Sequence, residues 1–238
     1  MPIARGTIRA LSSEDPDTTG GLIITNDRWN ANMSWVGVIP VRRAVEPYEA
    51  PYSVQLGSGL FATTGRIVAL AAPPHPHTRL GPVEAVLTAD ELVRCEDALC
   101  RFLQIPLLLG AGTRIPPVLG AVTYPLWGEI YNAEPPINGE RKRYVVVSPN
   151  PWNAASGSAT LVRTTSQVKR DSAAFPLIQG AAARACCGEA TTVPNTAIRM
   201  AGRDRPTPMT TTRADMVSIA RGFLVTHDLR SAATRAGV

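Results

Sequence analysis

Residues 21–30 read GLIITNDRWN and residues 144–153 read YVVVSPNPWN, so an apolar run followed by a polar turn, a tryptophan and an asparagine occurs twice. Trp29 corresponds to Trp152 and Asn30 to Asn153, an offset of 123 positions in a chain of 238 residues. Self-similarity at a fixed spacing is the sequence signature of a repeated structural unit. The chain is therefore predicted to contain the same unit twice.

Two further blocks recur in the same order. Residues 5–9 (RGTIR) precede the first copy and residues 127–131 (WGEIY) precede the second, an offset of 122. Later in each half, residues 88–93 (TADELV) correspond to residues 212–217 (TRADMV), an offset of 124. Three blocks in one order at nearly one spacing indicate a duplication rather than a chance match.

The repeat predicts two tandem domains of ordinary size, residues 1–108 and residues 125–238. Between them, residues 109–124 are rich in Gly and Pro, which is typical of an interdomain connection. This segment also contains many apolar residues. We therefore expect a strap that packs across both halves.

The pattern of short β-branched runs bounded by turn residues predicts a mainly β, α+β fold. The strongest helix prediction is residues 88–103, where Thr88 and Glu91 have the spacing of a capping box, and its counterpart begins at Thr212. Strands are predicted at residues 7–11, 22–25, 35–41, 66–71, 129–132, 144–148, 159–164 and about 181–186. Short helices or turns are predicted at 26–32 and 149–155, and loops at 73–82 and 199–212.

The composition is that of a globular chain, with 45% hydrophobic and 18% charged residues. No stretch approaches the roughly 20 apolar residues that span a bilayer, and residues 1–5 lack the apolar core of a signal peptide. We interpret the protein as cytoplasmic, without a membrane partner. The spacings of the cysteines (Cys95, Cys100, Cys186 and Cys187) match neither zinc sites nor redox motifs, so reduced, buried thiols are expected.

No cofactor or metal is predicted. His75 and His77 alternate in a proline-rich stretch, but no acidic or cysteine cluster accompanies them, which favours a loop over a metal site. The glycine motifs of nucleotide-binding loops and the nucleophile elbow do not occur. Nucleotide-dependent chemistry is therefore not expected.

The positive charge belongs to the second half. Residues 1–118 carry 10 Arg against 11 acidic residues, a net charge of −1, whereas residues 119–238 carry 14 Lys and Arg against 8 acidic residues, a net charge of +6. Such asymmetry favours contact between one half and a polyanion. A solvated, arginine-rich surface explains the same numbers, since 22 of the 24 basic residues are Arg.

The order of these blocks resembles the MazF/PemK toxin family. In that family a domain opens with a motif similar to residues 127–131, continues with an apolar strand and a turn similar to residues 145–153, and ends a third strand in Thr-Ser, as residues 161–166 do. Residues 22–27 and the helix predicted at 88–103 provide similar blocks in the first half. Together these short motifs cover most of both halves.

The resemblance implies two tandem SH3-like small β-barrel domains with helices, arranged as a pseudo-dimer within one monomeric chain. It also implies metal-independent cleavage of single-stranded RNA, with an antitoxin peptide as a possible partner. In this chemistry a 2′-hydroxyl attacks the neighbouring phosphate and negative charge builds on its oxygens. A fixed cation and a hydroxyl donor stabilise that charge.

The resemblance places the catalytic residues in the second half. The family's arginine precedes the second strand, and an ungapped count gives Lys142, with Arg141 or Arg143 reached by a one-residue slip. The family's threonine corresponds to Thr165, beside Ser166. Lysine neutralises a phosphate but lacks the bidentate fork of arginine. Residues 141–143 are equally compatible with a solvated turn.

The first half has lost this pattern, because Thr19 and Arg42 occupy the two equivalent positions. A groove shared by both halves would let Arg42 and Arg43 contact RNA phosphates, although exposed strand-end charges are an equal alternative. The other candidate nucleic-acid contacts are basic residues of the second half, namely Arg163, Lys169, Arg170, Arg203 and Arg205.

The four tryptophans offer stacking surfaces for bases, but the repeat-equivalent pair, Trp29 and Trp152, is more typical of core. Trp127 is the best candidate for exposure.

Three functions follow from these residues. The first is a toxin-type endoribonuclease with one working site in the second domain. The second is a catalytically degenerate relative that binds nucleic acid or a protein, as the gyrase-poisoning CcdB-like toxins do, with a topoisomerase or an antitoxin as the partner. The third is a regulatory pseudo-dimer whose groove accepts a partner helix.

Overall fold

The computed structural model describes residues 3–13, 15–71, 79–110, 122–133, 142–167, 173–179, 183–200 and 209–237. Within these ranges the protein is mainly β, with antiparallel sheets and several helices. None of the helices in the described part is long and apolar enough to cross a membrane.

Among the described residues, one sheet of seven antiparallel strands lies entirely in the first half. Its strands run in the order β4-β5-β3-β2-β1-β7, and β6 also pairs with β3. The strands are β1 (Thr7–Leu11), β2 (Thr18–Ile23), β3 (Trp35–Arg42), β4 (Ser53–Gln55), β5 (Phe61–Thr63), β6 (Val68–Ala71) and β7 (Leu80–Val86).

A second sheet of seven antiparallel strands lies in the second half of the described chain. Its strands run in the order β11-β12-β10-β9-β8-β13, and β14 also pairs with β8. The strands are β8 (Glu129–Ala133), β9 (Lys142–Val146), β10 (Ser158–Thr165), β11 (Leu177–Ile178), β12 (Ala183–Pro194), β13 (Ile198–Met200) and β14 (Met209–Thr210).

The central strand pairs of the two sheets have the same register. In the first sheet Ile23 lies opposite Val38, and in the second sheet Val146 lies opposite Leu161. Both residues of the second pair are 123 positions beyond those of the first. The sequence offset is therefore also an offset in strand pairing.

Helices recur at the same spacing. They are α1 (Asp27–Asn32), α2 (Ala89–Phe102), α3 (Ile105–Leu109), α4 (Asn150–Ser156), α5 (Arg213–Thr226) and α6 (Arg230–Arg235). The predicted capping box at Thr88 and Glu91 is confirmed, and α5 has the same arrangement at Thr212 and Asp215. Each cap satisfies amide groups that the first helical turn leaves without partners.

The repeated asparagine holds a buried turn in each half. Thr25 Oγ1 donates to Asn30 Oδ1 at 2.6 Å, and Asn30 Nδ2 donates to the Thr25 carbonyl at 3.0 Å. In the second half Ser148 Oγ donates to Asn153 Oδ1 at 2.5 Å, and Asn153 Nδ2 donates to the Pro125 carbonyl at 2.8 Å. These bonds fix the chain between the second strand and the short helix of each half.

The two halves meet through tryptophans that pack against glycines of the opposite half. Trp29 lies against Gly188, and Trp152, which is 2% exposed, lies against Gly65. The Thr192 amide also donates to the Ile67 carbonyl at 2.8 Å, which joins the halves through the backbone. The expectation that Trp29 and Trp152 belong to the core is confirmed. Trp127 is half-buried and packs against the largest core cluster, contrary to its predicted exposure.

The structure differs from the sequence-based prediction mainly at strand ends. Residues 80–82 were predicted to be a loop but begin β7, because this segment pairs with β1. Strand β12 extends to Pro194, well beyond the predicted end at 186, and β9 ends at Val146 rather than at 148. Strands β4 and β5 have three residues each, too few for a periodic signal. The four cysteines are buried free thiols, as expected.

Candidate functional site

The lysine and the threonine predicted from the sequence occupy facing strand ends in the second sheet. In the β9–β10 pair, Arg163 lies opposite Tyr144. Continuing this antiparallel register by two residues places Thr165 opposite Lys142. Thr164 Oγ1 donates to the Arg143 carbonyl at 3.1 Å, so the two strands are still adjacent at this end. Directly opposed residues of antiparallel strands have Cβ atoms about 5 Å apart.

Four side chains of these two strands share one face of the sheet, because residues alternate between faces along a strand. We call them the four-residue patch: Lys142, Tyr144, Arg163 and Thr165. Lys142 is exposed, Arg163 and Thr165 are half-buried, and Tyr144 is buried. The patch therefore presents an ammonium, a guanidinium and a hydroxyl at the point where the strands reach the surface.

The Arg163 guanidinium is anchored on one side. Its Nη2 atom lies 2.6 Å from Glu189 Oε2 and 3.9 Å from Cys186 Sγ, and 28% of the side chain is exposed. Burial by itself lowers the pKa of Arg163, but the Glu189 carboxylate, together with Cys186 and Tyr144, raises the pKa overall. Arg163 therefore stays charged while part of it is withdrawn from solvent.

Glu189 reaches Arg163 because β12 bulges at this point. In the β10–β12 pair, Val162 lies opposite Ala190 and Thr164 lies opposite Ala185. Residues 186–189 therefore stand opposite Arg163 alone. Bulges of this kind redirect side chains and are over-represented beside active sites.

The other predicted catalytic residues do not all lie on the face of the four-residue patch. Arg143 is exposed but belongs to the opposite face of β9. Ser166 is exposed just beyond β10, and Thr165 Oγ1 accepts a hydrogen bond from the Gln167 amide at 3.2 Å. The structure thus brings Lys142, Thr165 and Arg163 together. Five predicted site residues lie outside the described residues, namely Arg141, Lys169, Arg170, Arg203 and Arg205.

The equivalent position of the first half holds a buried ion-pair cluster. Arg42 is 6% exposed, with Nη1 2.8 Å from Glu49 Oε2 and Nε 3.2 Å from Asp15 Oδ2. Glu49 is fully buried and also contacts Arg66 Nε. The structure therefore places Arg42 among carboxylates. It contradicts both predictions for this residue, which were a contact with RNA phosphates in a groove and an exposed charge at a strand end. Arg43 is exposed.

Thr19, the first-half counterpart of Lys142, donates to the Val41 carbonyl at 3.1 Å. This hydroxyl bonds to the protein's own backbone, and no cation replaces the lysine at this position. The two halves consequently differ in chemistry although their strands correspond.

Sequence reasoning missed two members of the second-half site. Tyr144 could have been found, since it lies two residues after Lys142 on a predicted strand and so shares its face. Glu189 could not, because its contact with Arg163 depends on a bulge that no local pattern indicates. Within the described residues, no group of three or more His, Cys, Asp or Glu side chains could hold a metal ion.

The chain resembles proteins of known structure only to a limited extent. No family model and no curated protein matches the chain. Two similar solved structures come from mycobacterial species: an endoribonuclease with its cognate antitoxin (17% identity, 42% of this chain, 91% of that chain, TM-score 0.35) and an endoribonuclease (16%, 44%, 92%, 0.36). A MazE–MazF structure from Deinococcus radiodurans matches with 19% identity over 43% of this chain and 93% of that chain, TM-score 0.32. Likeness of this size carries no argument about activity.

Proposed function

We propose that the protein is a toxin-type endoribonuclease that cleaves single-stranded RNA without a metal ion, at one site centred on Lys142 and Thr165. The observation that supports this proposal is the register of β9 and β10, in which Arg163 lies opposite Tyr144. Continued by two residues, this register puts the exposed Lys142 opposite Thr165 on one sheet face. The second half, with its net charge of +6, is also the half that attracts a polyanion.

The geometry fits transesterification by the RNA's own 2′-hydroxyl. As this oxygen gives its proton to water and attacks the adjacent phosphorus, charge accumulates on the equatorial phosphate oxygens. The bond from phosphorus to the 5′-oxygen breaks, and that oxygen takes up a proton from water. The Lys142 ammonium and the Thr165 hydroxyl then stabilise the developing charge by hydrogen bonds. The products of this reaction are a 2′,3′-cyclic phosphate and a 5′-hydroxyl.

We further propose that each half is a small SH3-like barrel domain, bounded at residues 1–108 and 125–238, and that the monomer imitates a homodimer. The reciprocal contacts of Trp29 with Gly188 and of Trp152 with Gly65 support this arrangement, because a twofold dimer makes each contact twice. In this proposal the protein acts in the cytoplasm and an antitoxin peptide regulates it.

The test is a cleavage assay on a single-stranded RNA oligonucleotide in EDTA. We expect fragments with 5′-hydroxyl ends from the wild type, and loss of at least about 100-fold in rate, the scale of one removed oxyanion donor, for Lys142→Ala and for Thr165→Ala. Intact RNA at high protein concentration, or full activity of both variants, contradicts the proposal.

A second function is binding without cleavage, with a nucleic acid or a topoisomerase-like protein as the partner. The observation in its favour is that Glu189, the carboxylate in contact with the patch, is paired with Arg163 and so is a poor general base. Salt-dependent RNA binding without any product favours this alternative, whereas 5′-hydroxyl fragments exclude it.

A further inference from the structure

The β12 bulge brings a carboxylate to the patch at a place where RNA phosphates would repel it. Glu189 is only 9% exposed, and its Oε2 atom lies 2.6 Å from Arg163 Nη2. A negative charge beside a phosphate-binding site lowers the affinity for RNA, so Glu189 is expected to have another role at this site. Here the carboxylate fixes the direction of the Arg163 side chain, which is long and otherwise flexible.

We propose that Glu189 is a positioning residue that presents the Arg163 guanidinium beside Thr165 as the second phosphate-contacting cation of the site. This inference rests on the proposed function. It also explains how the site obtains a guanidinium although lysine stands at the position of the expected arginine. Arg163 precedes Thr165 by two residues, so both side chains leave β10 on the same face.

The guanidinium has hydrogen-bonding capacity left for a ligand. One nitrogen, Nη2, is taken by Glu189 and Cys186. Nε is buried and so is not accessible to a ligand. Nη1 is therefore the nitrogen left to contact a phosphate oxygen.

The first half holds the bulge in place. Trp29 packs against Gly188, the residue that precedes Glu189, and a Cβ added to Gly188 would lie 2.2 Å from the indole carbons Cε2 and Cζ2. The half that lacks the patch thus supports the carboxylate that orients Arg163. At the equivalent place in the first half, the 3-10 turn Thr64–Arg66, position 66 carries an arginine instead of a glutamate.

The test measures how binding of a single-stranded RNA oligonucleotide with 2′-deoxy substitutions, which cannot be cleaved by this route, depends on salt. For single strands the slope of log K against log salt changes by about 0.7 for each phosphate contact. We expect Arg163→Ala to reduce the slope by about 0.7, Glu189→Gln to reduce it equally, and the double variant to reduce it no further. Arg66→Gln is the matched control and should leave the slope unchanged.

A purely electrostatic role for Glu189 predicts the opposite result, because Glu189→Gln removes a negative charge and would tighten binding at an unchanged slope. That outcome, or additive effects in the double variant, overturns the inference. Glu189→Asp replaces Glu189→Gln if that variant does not fold. It keeps the negative charge and should reduce the slope of log K against log salt by a smaller amount. Binding of this oligonucleotide by a protein that leaves unmodified single-stranded RNA intact contradicts only the proposed nuclease, whereas no binding by the wild type overturns both proposals.

Discussion

Trp29 of the first half lies so close to Gly188 of the second half that a Cβ on the glycine would stand 2.2 Å from its indole ring. The contact of Trp152 with Gly65 repeats this arrangement in the opposite direction, with the indole Nε1 2.8 Å from the position of a Cβ. Each half therefore places an aromatic ring against a glycine of the other, Gly188 in the bulge of β12 and Gly65 in the 3-10 turn Thr64–Arg66. Only a residue without a side chain fits at either glycine.

Gly188→Ala is expected to lower the free energy of unfolding by about 1–3 kcal/mol, the usual cost of overpacking a buried contact. Gly65→Ala should cost less, because its nearest neighbour, at 2.8 Å, is a single indole nitrogen. Urea unfolding of the variants measures both values. Gly57→Ala is the control, since an added Cβ there meets only Glu91 Oε1 at 3.4 Å. Equal stability of the Gly188→Ala variant and the wild type contradicts the prediction.

Asn153→Ala is expected to destabilise the protein by about 2–4 kcal/mol, because it removes bonds to Ser148 and Pro125 and leaves buried groups without partners. Asn30→Ala should have a similar effect through Thr25. Thermal or urea unfolding of the wild type and of both variants measures the loss of stability. Asn32, which is exposed and bonds to the Arg28 carbonyl, offers the control variant Asn32→Ala, expected to change stability by less than about 1 kcal/mol.

Stability is expected to fall as the pH decreases from about 6.5 towards 3, because of His227. Its ring is buried, and burial together with the nearby Arg5 charge lowers its pKa from 6.5 to about 3. The unfolded chain binds a proton in this range while the folded protein does not, so each pH unit costs up to about 1.4 kcal/mol.

Urea unfolding between pH 7.5 and pH 5 tests this dependence before most carboxylates titrate. His227→Asn keeps a polar side chain beside Thr226, whose Oγ1 atom lies 2.8 Å from His227 Nδ1, and does not titrate. The variant should show a flatter dependence on pH. If the free energy of unfolding of the variant depends on pH as steeply as that of the wild type, another group causes the effect.

Neighbouring basic residues of β9 provide a test of the patch itself. Lys142→Ala is expected to reduce RNA cleavage far more than Arg143→Ala, because only Lys142 shares a sheet face with Thr165. Both changes remove one positive charge from an exposed position, so net charge is matched. Rates measured at saturating RNA separate loss of chemistry from loss of binding. A larger effect of Arg143→Ala would show that the opposite face carries the site.

The sequence was sufficient where the structure depends on local signals. The capping box at Thr88, the helix that follows it and the central strands came from periodicity and spacing. The Lys142 and Thr165 positions came from the order of the family-like motifs, and the β9–β10 register, continued by two residues, puts them opposite each other. The environment of Arg42 was missed because it combines Asp15, which is distant in sequence, with Glu49, whose full burial no local pattern indicates. Glu189 was missed because a bulge is a property of strand pairing.

The bulge of β12 carries the acidic Glu189, whereas the turn at the same place in the first half carries the basic Arg66. An assembly of identical subunits cannot have this difference, since symmetry gives every copy the same residue at each position. Covalent linkage removes that constraint and also fixes the ratio of the two halves at one to one. Under the proposed function, the polypeptide can therefore assign RNA recognition to the second half and structural support to the first.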